Sequence, residues 1–377
     1  MKIHEVEYCN IGTGWKLEKT TFSDLTLLVG ISGVGKTQIL HAINSLRGII
    51  SGHLLDGIAW SVSFTADNQK HYRWEGGFQH IKGLENRIFL ERKESEREEQ
   101  NGTVHIPKIL FERLFVEEIL LIEKTENQVT FKNEPLPIKF SPYKSVLTVF
   151  TEQDEIIPVL QAFKKIYFVS DWIDMFVLSK EMVREVKELH NITTLQNIQE
   201  APIAPRLKLV LAYHHFPEVF RTIQEEFMDI FQQVEEMKYS YDEENGYTLQ
   251  IREKGTDWIA QTQISSGMLK TLMHIAEMKL MASGSVILID EFENSLGVNC
   301  IDIVAETLMH RERELQYIIT SHHPYIINNI PPQYWQIVTR QGGKVSTHQT
   351  ADLNLNRSKH KAFMQLINLE EYTEGIR

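Results

Sequence analysis

The chain has 377 residues, a formal net charge of −12 at pH 7 and 42% hydrophobic residues, a composition typical of a globular protein with a large core. The acidic balance argues against a surface that binds nucleic acid over its whole extent, although a local basic groove stays open. No apolar run approaches the roughly 18 residues of a membrane-spanning helix, and Met1–Tyr8 alternates like a strand instead of forming a signal-peptide core. We therefore expect a cytoplasmic protein that does not interact with a membrane.

A glycine-rich phosphate-binding motif follows the predicted strand Leu25–Val29 and precedes Gln38–Leu46, which has helical spacing. Its sequence, Gly-Ile-Ser-Gly-Val-Gly-Lys-Thr, fits the P-loop pattern G-x-x-x-x-G-K-[ST]. We expect its glycines to permit positive φ and close phosphate approach, Lys36 to reach the β- and γ-phosphates, and Thr37 to hold Mg²⁺. The predicted nucleotide contacts here are Gly30, Ser32, Gly33, Val34, Gly35, Lys36, Thr37 and Gln38.

Residues from about 58 to 150 alternate between apolar and polar side chains in short stretches. Examples are Trp60–Phe64, His71–Trp74 and Ile119–Ile122. This alternation predicts half-buried strands, and we expect an antiparallel β region that completes the lobe carrying the P-loop. The mixed-charge run Glu91–Gln100 is more simply a solvated loop or helix end than a binding element.

The pattern changes to helical spacing between about residues 152 and 238. Apolar residues recur at this spacing in Ile156–Tyr167, Leu178–His190 and Val219–Glu236, with prolines marking a break near residue 205. No sustained heptad series appears, so we predict a compact helical insertion instead of a long coiled coil.

A β-hairpin is predicted directly after this insertion. Its strands are Tyr239–Tyr241 and Tyr247–Ile251, which flank a polar turn, and we expect the hairpin to re-enter the main sheet. The predicted division of the chain is an N-terminal half of one lobe over residues 1–150, an insertion over residues 151–238, and the C-terminal half of the lobe over residues 239–377.

Two carboxylates follow a second buried-strand pattern, Val286–Ile289. We expect Asp290, at the end of this strand, to hold Mg²⁺, and Glu291 to orient and deprotonate an attacking water. Taken alone, the pair is more simply a solvated strand end. The P-loop earlier in the chain reverses that preference.

The order of five motifs resembles that of ABC-type ATPases. Besides the P-loop and the carboxylate pair, Ile264–Lys270 resembles the signature loop, usually written L-S-G-G-Q. Phe292–Gly297 stands where the D-loop follows the carboxylates, and Ile318–Pro324 is similar to the strand that ends in the switch histidine.

This resemblance implies a fold and a set of roles. The implied fold is an α/β, ABC-type P-loop ATPase head, with a mixed central sheet, an antiparallel β region and a compact helical insertion. ATP and Mg²⁺ are the implied ligands, and Lys36, Glu291 and His322 are the implied catalytic residues. Ser265 and Gly267 of a second copy are implied to cap the γ-phosphate.

Several positions depart from the usual ABC pattern. Ser266 and Met268 replace a glycine and the glutamine of the signature loop, and Gly297 stands near the usual D-loop aspartate. Gln128 and Gln153 are the two candidates for the Q-loop glutamine, and neither has a distinctive context. Slow or conditional ATP hydrolysis is compatible with these changes.

The motif wording is most similar to that of the compact, non-transporter group that includes RecF, SMC and OLD-type proteins. Asp-Glu-Phe-Glu-Asn and Thr-Ser-His-His-Pro resemble segments in the stand-alone ATPases of bacterial anti-phage systems, such as AriA of PARIS and PtuA of Septu. The 55 residues after His322 are too few for the C-terminal Toprim domain of OLD nucleases.

The function implied by this resemblance is an anti-phage ATPase that forms ATP-dependent head dimers, or larger homo-oligomers, and controls a separate nuclease or toxin. The alternative is a RecF- or SMC-like DNA-binding ATPase in repair. The nucleotide subunit of a membrane transporter is less favoured, because the signature loop lacks the usual glutamine.

Overall fold

A computed structural model gives the fold over residues 1–82, 88–90, 106–126, 128–137, 140–169, 193–201, 203–242, 246–294, 306, 308–309, 314–353, 359–366 and 368. Its strands in chain order are β1 (Lys2–Asn10), β2 (Trp15–Thr21), β3 (Leu25–Val29), β4 (His53–Leu55), β5 (Ile58–Thr65), β6 (His71–Phe78), β7 (Ile88–Leu90), β8 (Ile109–Val116), β9 (Ile119–Lys124), β10 (Val129–Phe131), β11 (Glu134–Pro135), β12 (Ile166–Val169), β13 (Val234–Asp242), β14 (Gly246–Glu253), β15 (Trp258–Ala260), β16 (Val286–Ile289), β17 (Gln316–Thr320), β18 (Trp335–Gln341) and β19 (Lys344–Gln349). Its helices are α1 (Lys36–Ile50), α2 (Val146–Val149), α3 (Ile157–Lys164), α4 (Leu195–Glu200), α5 (Pro205–His215), α6 (Pro217–Ile230), α7 (Ser266–Leu280), α8 (Pro324–Asn329) and α9 (Lys359–Leu366).

The main sheet is mixed and has 14 strands, in the order β11-β10-β9-β8-β6-β5-β1-β2-β19-β18-β3-β17-β16-β12. Neighbouring strands from β11 to β2 are antiparallel, whereas β18, β3, β17, β16 and β12 run parallel to one another. Because parallel strands end at the same edge of a sheet, the loops after β3, β17 and β16 lie side by side.

Both faces of the parallel strands are buried, which explains their continuous apolar sequences. In β16, Ile287 and Ile289 belong to the hydrophobic core under α5, α6 and α7, while Val286 and Leu288 belong to the core under α1 and α3. The strands predicted at Leu25–Val29 and Val286–Ile289 are confirmed residue for residue.

The antiparallel region is also confirmed. The predicted strand segments lie within β5, β6 and β9, which take part in one antiparallel run of the main sheet. The predicted helix after the P-loop is confirmed as α1, and the N-terminal strand as β1.

The helical prediction for Ile156–Tyr167 is wrong at its end. Helix α3 stops at Lys164, and the following residues form β12, the outer parallel strand beside β16. Likewise, α6 ends at Ile230 and strand β13 begins at Val234, so Val219–Glu236 is helical only in its first part. A short apolar run does not distinguish a helix from a buried strand by spacing alone. The predictions for Leu178–His190 and Glu91–Gln100 lie outside the described residues.

The predicted hairpin is confirmed, but its expected return to the main sheet is wrong. Strands β13 and β14 pair with each other and with β15 in a separate three-stranded antiparallel sheet. One face of this sheet carries Met237, Tyr239, Leu249 and Ile251, which join the core formed with α5, α6 and α7. Packing against helices therefore buries the apolar face of the hairpin without strand pairing to the main sheet.

None of the helices in the described ranges has the length and apolar character needed to cross a membrane.

A buried carboxylate fixes the antiparallel region to the segment that follows it. Glu112 on β8 is fully buried and accepts hydrogen bonds from Trp74 Nε1 at 3.0 Å, Ser145 Oγ at 2.6 Å and Val146 N at 2.8 Å. Burial raises the pKa of Glu112, and its three hydrogen-bond donors oppose that rise. The carboxylate thus joins β6 and β8 to the start of α2.

Glu112→Gln should lower the free energy of unfolding by about 3 kcal/mol, because an amide NH₂ group would face buried donors that need an acceptor. Urea unfolding measures this change. The matched control Glu118→Gln changes a carboxylate that is 65% exposed and should stay within about 0.5 kcal/mol of wild type. Equal effects of the two substitutions would contradict the structural role of Glu112.

Candidate functional site

The glycine-rich loop connects the end of β3 to the start of α1 at the carboxyl edge of the parallel strands. A Cβ atom on Gly30 would lie 2.7 Å from the carbonyl oxygen of Val338 on β18, so the close approach of the two backbones requires glycine there. Gly33 and Gly35 have φ values of 85° and 105°. These left-handed conformations, which favour glycine, turn the chain sharply into α1.

The N-terminus of α1 is open towards this loop. Gly35 is its N-cap, and within the described ranges no side chain caps the first helical amides. Unpaired amides and the positive end of a helix dipole form a general anion-binding site. Ser32 and Gln38 are exposed at the two ends of this turn, whereas the Val34 side chain is buried in the core.

The ammonium group of Lys36 turns back onto the loop that carries it. Its Nζ donates to the carbonyl oxygens of Gly30 at 2.7 Å and Ile31 at 3.0 Å. Burial lowers the pKa of Lys36, while the charges of Glu293, Asp290 and Glu291 act to raise it. The lysine and three carboxylates therefore share one electrostatic environment.

Asp290, which follows β16, contacts the start of α1 and the end of β17. Its Oδ1 accepts a hydrogen bond from Thr37 Oγ1 at 3.1 Å and another from Thr320 Oγ1 at 2.6 Å. Carboxylate and hydroxyl oxygens are ligands that suit Mg²⁺. The structure brings together Thr37 and Asp290, the two residues that the sequence predicts as metal ligands, and they fit that ion.

Glu291 has a positive φ of 44°, which is uncommon for a residue with a side chain. Its N–H donates to Thr320 Oγ1 at 2.8 Å, and its carbonyl oxygen accepts from Asn294 N at 2.7 Å. The turn directs the chain out of β16 immediately after Asp290. These two hydrogen bonds, one to the N–H and one to the carbonyl oxygen of Glu291, maintain this conformation.

His322 lies after β17 at the same edge and contacts a carboxylate that the sequence analysis did not single out. Glu293 Oε1 accepts a hydrogen bond from His322 N at 3.1 Å and lies 3.2 Å from His322 Nδ1. The His322 side chain is 52% exposed, whereas that of Glu293 is 10% exposed. The sequence signal for Glu293 was its position two residues after Glu291 in Asp-Glu-Phe-Glu-Asn.

Ser265 and Gly267 lie at the N-terminus of α7. Ser265 is exposed and caps the helix by accepting a hydrogen bond from Met268 N at 3.2 Å. In the described part of the chain, no hydrogen bond or ion pair joins Ser265 or Gly267 to the P-loop of the same molecule. Both Q-loop candidates are exposed in connecting loops. Gln128 lies between β9 and β10, and Gln153 lies between α2 and α3.

A groove of about 780 Å³ adjoins the P-loop on the side of β1 and β2. Trp15, Gln38, His41 and Arg340 contribute to its walls. Arg340 Nη1 also donates to the carbonyl oxygen of Gly33 at 3.3 Å, which links the groove directly to the phosphate-binding turn. Sequence analysis missed this groove because its walls come from three distant segments.

Comparison with known proteins identifies a family for this chain. The family model described as "AAA domain, putative AbiEii toxin, Type IV TA system" matches residues 25–328. No curated protein matches the chain.

Among solved structures, the chain is similar to an SMC head bound to the C-winged helix domain of ScpA, with a TM-score of 0.50 and 14% identity over 92% of this chain and 98% of that chain. A second similar structure is an SMC head domain with an extended coiled coil, bound to the C-terminal domain of ScpA from Pyrococcus furiosus. For it the TM-score is 0.47 and the identity 13%, over 92% of this chain and 96% of that chain. The first likeness and the mixed α/β sheet confirm the expected ABC-type head fold.

Gly30→Ala should weaken ATP binding and lower the free energy of unfolding by about 1–3 kcal/mol, because the added methyl group must displace the backbone of β18 or the P-loop. Calorimetric titration and urea unfolding measure the two effects. Gly255→Ala is the control, since Gly255 has a φ of 78° but open space around it. It should cost about 1 kcal/mol of strain without affecting ATP binding. Normal ATP binding by the Gly30→Ala protein would contradict this account.

Proposed function

The chain belongs to the family described as "AAA domain, putative AbiEii toxin, Type IV TA system", and we propose that ATP joins two copies of the chain to control a separate effector. The fold of the chain is that of an ABC-type, SMC-like ATPase head. The observation that carries this proposal is a divided site. Lys36, Thr37 and Asp290 share one edge of the sheet, while Ser265 is exposed at the start of another helix.

A second copy of the chain would complete this site. The open N-terminus of α1 and Lys36 would bind the phosphates, and Ser265 and Gly267 of the partner would approach the γ-phosphate from the opposite side. Phosphoryl transfer depends on positioning and on stabilisation of charge, so a site without its second face would turn over slowly. Binding of ATP would thus favour the dimer, and hydrolysis would release it.

The residues of this chain have distinct proposed roles in hydrolysis. Lys36 exchanges its two carbonyl partners for phosphate oxygens. Glu291 orients water and accepts its proton as the water oxygen bonds to the γ-phosphorus, while the bond from that phosphorus to the β–γ bridging oxygen breaks and ADP leaves. Thr37 and Asp290 would hold Mg²⁺, which supplies charge neutralisation at the phosphates when bound. His322, beside Glu293, would contact the γ-phosphate as the switch residue.

We propose the groove beside Trp15 and Arg340 as the place of the nucleoside. It continues from the phosphate-binding turn, and its aromatic and cationic side chains suit an aromatic base.

In the same proposal, residues 1–150 and 239–377 form the two halves of the head, and residues 151–238 form an insertion. The strand Ile166–Val169 lies within that insertion but pairs with β16 in the head sheet.

The proposed effector is a separate nuclease or toxin in a bacterial anti-phage system. The family description mentions a toxin and a toxin–antitoxin system, and the similar SMC head is bound to a domain of another protein, ScpA. A RecF- or SMC-like DNA-binding role in repair is the competing interpretation. The net charge of −12 makes DNA binding depend on a local basic surface.

Glu291→Gln should reduce ATP hydrolysis by about 10²–10⁴-fold while preserving ATP binding, because a neutral amide cannot accept the proton of water. Lys36→Ala should lose ATP binding itself. Steady-state hydrolysis and equilibrium binding assays separate these outcomes. Glu225→Gln, on the exposed face of α6, is the matched control and should leave both quantities unchanged. Wild-type hydrolysis by the Glu291→Gln protein would exclude Glu291 as the base.

Native mass measurement of the protein expressed with its genomic neighbours tests the assembly. We expect ATP to stabilise a homodimer or a larger homo-oligomer in complex with a second polypeptide, and Glu291→Gln to accumulate the ATP-bound form. A protein that stays monomeric and solitary with ATP contradicts the proposal. ATP-dependent, salt-sensitive DNA binding without a protein partner favours the repair interpretation instead.

A further inference from the structure

A buried lysine connects the helix of the signature loop to the turn that carries Glu291. Lys270 lies in the second turn of α7 and is 4% exposed. Its Nζ donates to the carbonyl oxygen of Asn294 and lies 3.4 Å from the carbonyl oxygen of Glu291. A buried ammonium group is costly unless it is compensated, so its position at these two carbonyls is specific.

The turn that Lys270 contacts contains the left-handed backbone of Glu291. Such a conformation costs on the order of 1–3 kcal/mol for a residue with a side chain and requires support from its surroundings. Thr320 holds the N–H of Glu291, while Asn294 N and Lys270 Nζ approach its carbonyl oxygen. The direction of the Glu291 carboxylate therefore depends on contacts to β17 and α7 as well as on β16.

A further contact packs α7 against this turn. The ring of His274 on α7 lies 5.5 Å from the ring of Phe292, centroid to centroid. Glu277 is buried one turn further along the helix, where burial raises its pKa well above the usual range and the charge of Lys270 opposes that rise. A shift of α7 is thus expected to move the turn that presents Glu291.

We propose that Lys270 is a positioning residue that fixes the backbone of Glu291 to the signature helix, so that seating Ser265 on the partner's phosphate also orients Glu291 in the same head. Ser265 and Lys270 are separated by about 7.5 Å along the helix axis, at 1.5 Å per residue, so one rigid segment carries both. This inference rests on the proposed head dimer and on Glu291 as the base.

Lys270→Met tests the proposal, because it retains a long apolar side chain and removes the donor and the charge. We expect kcat for ATP hydrolysis to fall by about 10²-fold, the scale of a misplaced catalytic group, while the Kd for ATP measured by titration stays within about threefold of wild type. Lys270→Arg, which keeps charge and donors, should recover most of the lost kcat.

The control is Lys279→Met on the same helix, where the lysine pairs with Glu226 at 2.7 Å, away from the Glu291 turn. Its kcat should stay at the wild-type value. If Lys270→Met does not fold, Lys270→Gln replaces it; its amide is uncharged and one bond shorter but keeps a donor, so we expect kcat to fall in the same direction by a smaller factor. An unchanged kcat in the folded variant, an equal fall in kcat and ATP affinity, or equal losses in the Met and Arg variants would overturn the proposal.

Glu291→Gln, measured in parallel, separates this inference from the proposed function. If Glu291→Gln abolishes hydrolysis but Lys270→Met remains fully active, the coupling through Lys270 is wrong and the assignment of the base stands. If Glu291→Gln hydrolyses ATP at the wild-type rate, the proposed function fails first.

Discussion

The hydroxyl group of Thr320 occupies the position on which the rest of the site depends. Its strand, β17, lies between β16 and β3, so Thr320 Oγ1 reaches both the Asp290 carboxylate and the Glu291 N–H. Asp290 in turn contacts Thr37 at the start of α1. One side chain in the central strand thereby sets the spacing between the phosphate-binding loop and the two carboxylates. The order β3-β17-β16 places Thr320 where it can make both contacts.

Much of the fold could be predicted from sequence because the parallel strands are buried on both faces. Leu25–Val29 and Val286–Ile289 are short, continuous apolar runs, as expected of strands that are buried on both faces of a sheet. The P-loop that follows Leu25–Val29 favours a strand over a helix there. Ile166–Val169 has the same character, but it directly follows a helix without a turn signal, so spacing extended the helix over it. The hairpin strands could be predicted from the sequence, but the element against which they pack could not. The apolar face of a half-buried strand can pack against another sheet or against helices.

The site shows the same division between local and long-range information. Lys36, Thr37, Asp290 and Glu291 lie within short motifs whose spacing has a chemical reason, and the structure brings them to one edge. The contact between Glu293 and His322 joins positions 29 residues apart in sequence, and the same groove is lined by Trp15 and by Arg340 from the opposite end of the chain. Local spacing carries no information about such contacts. The fold alone determines them.

Strand β12 also limits which segment of this chain could be replaced as a unit without disturbing the main sheet. In the proposed division of the chain it belongs to the insertion, residues 151–238, yet it pairs with β16 from Ile166 to Val169. Replacing residues 151–238 as a unit would remove this outer strand and make β16, which is buried on both faces, the edge of the sheet, where it could pair with another molecule. A replacement segment that preserves the sheet therefore has to begin after Val169.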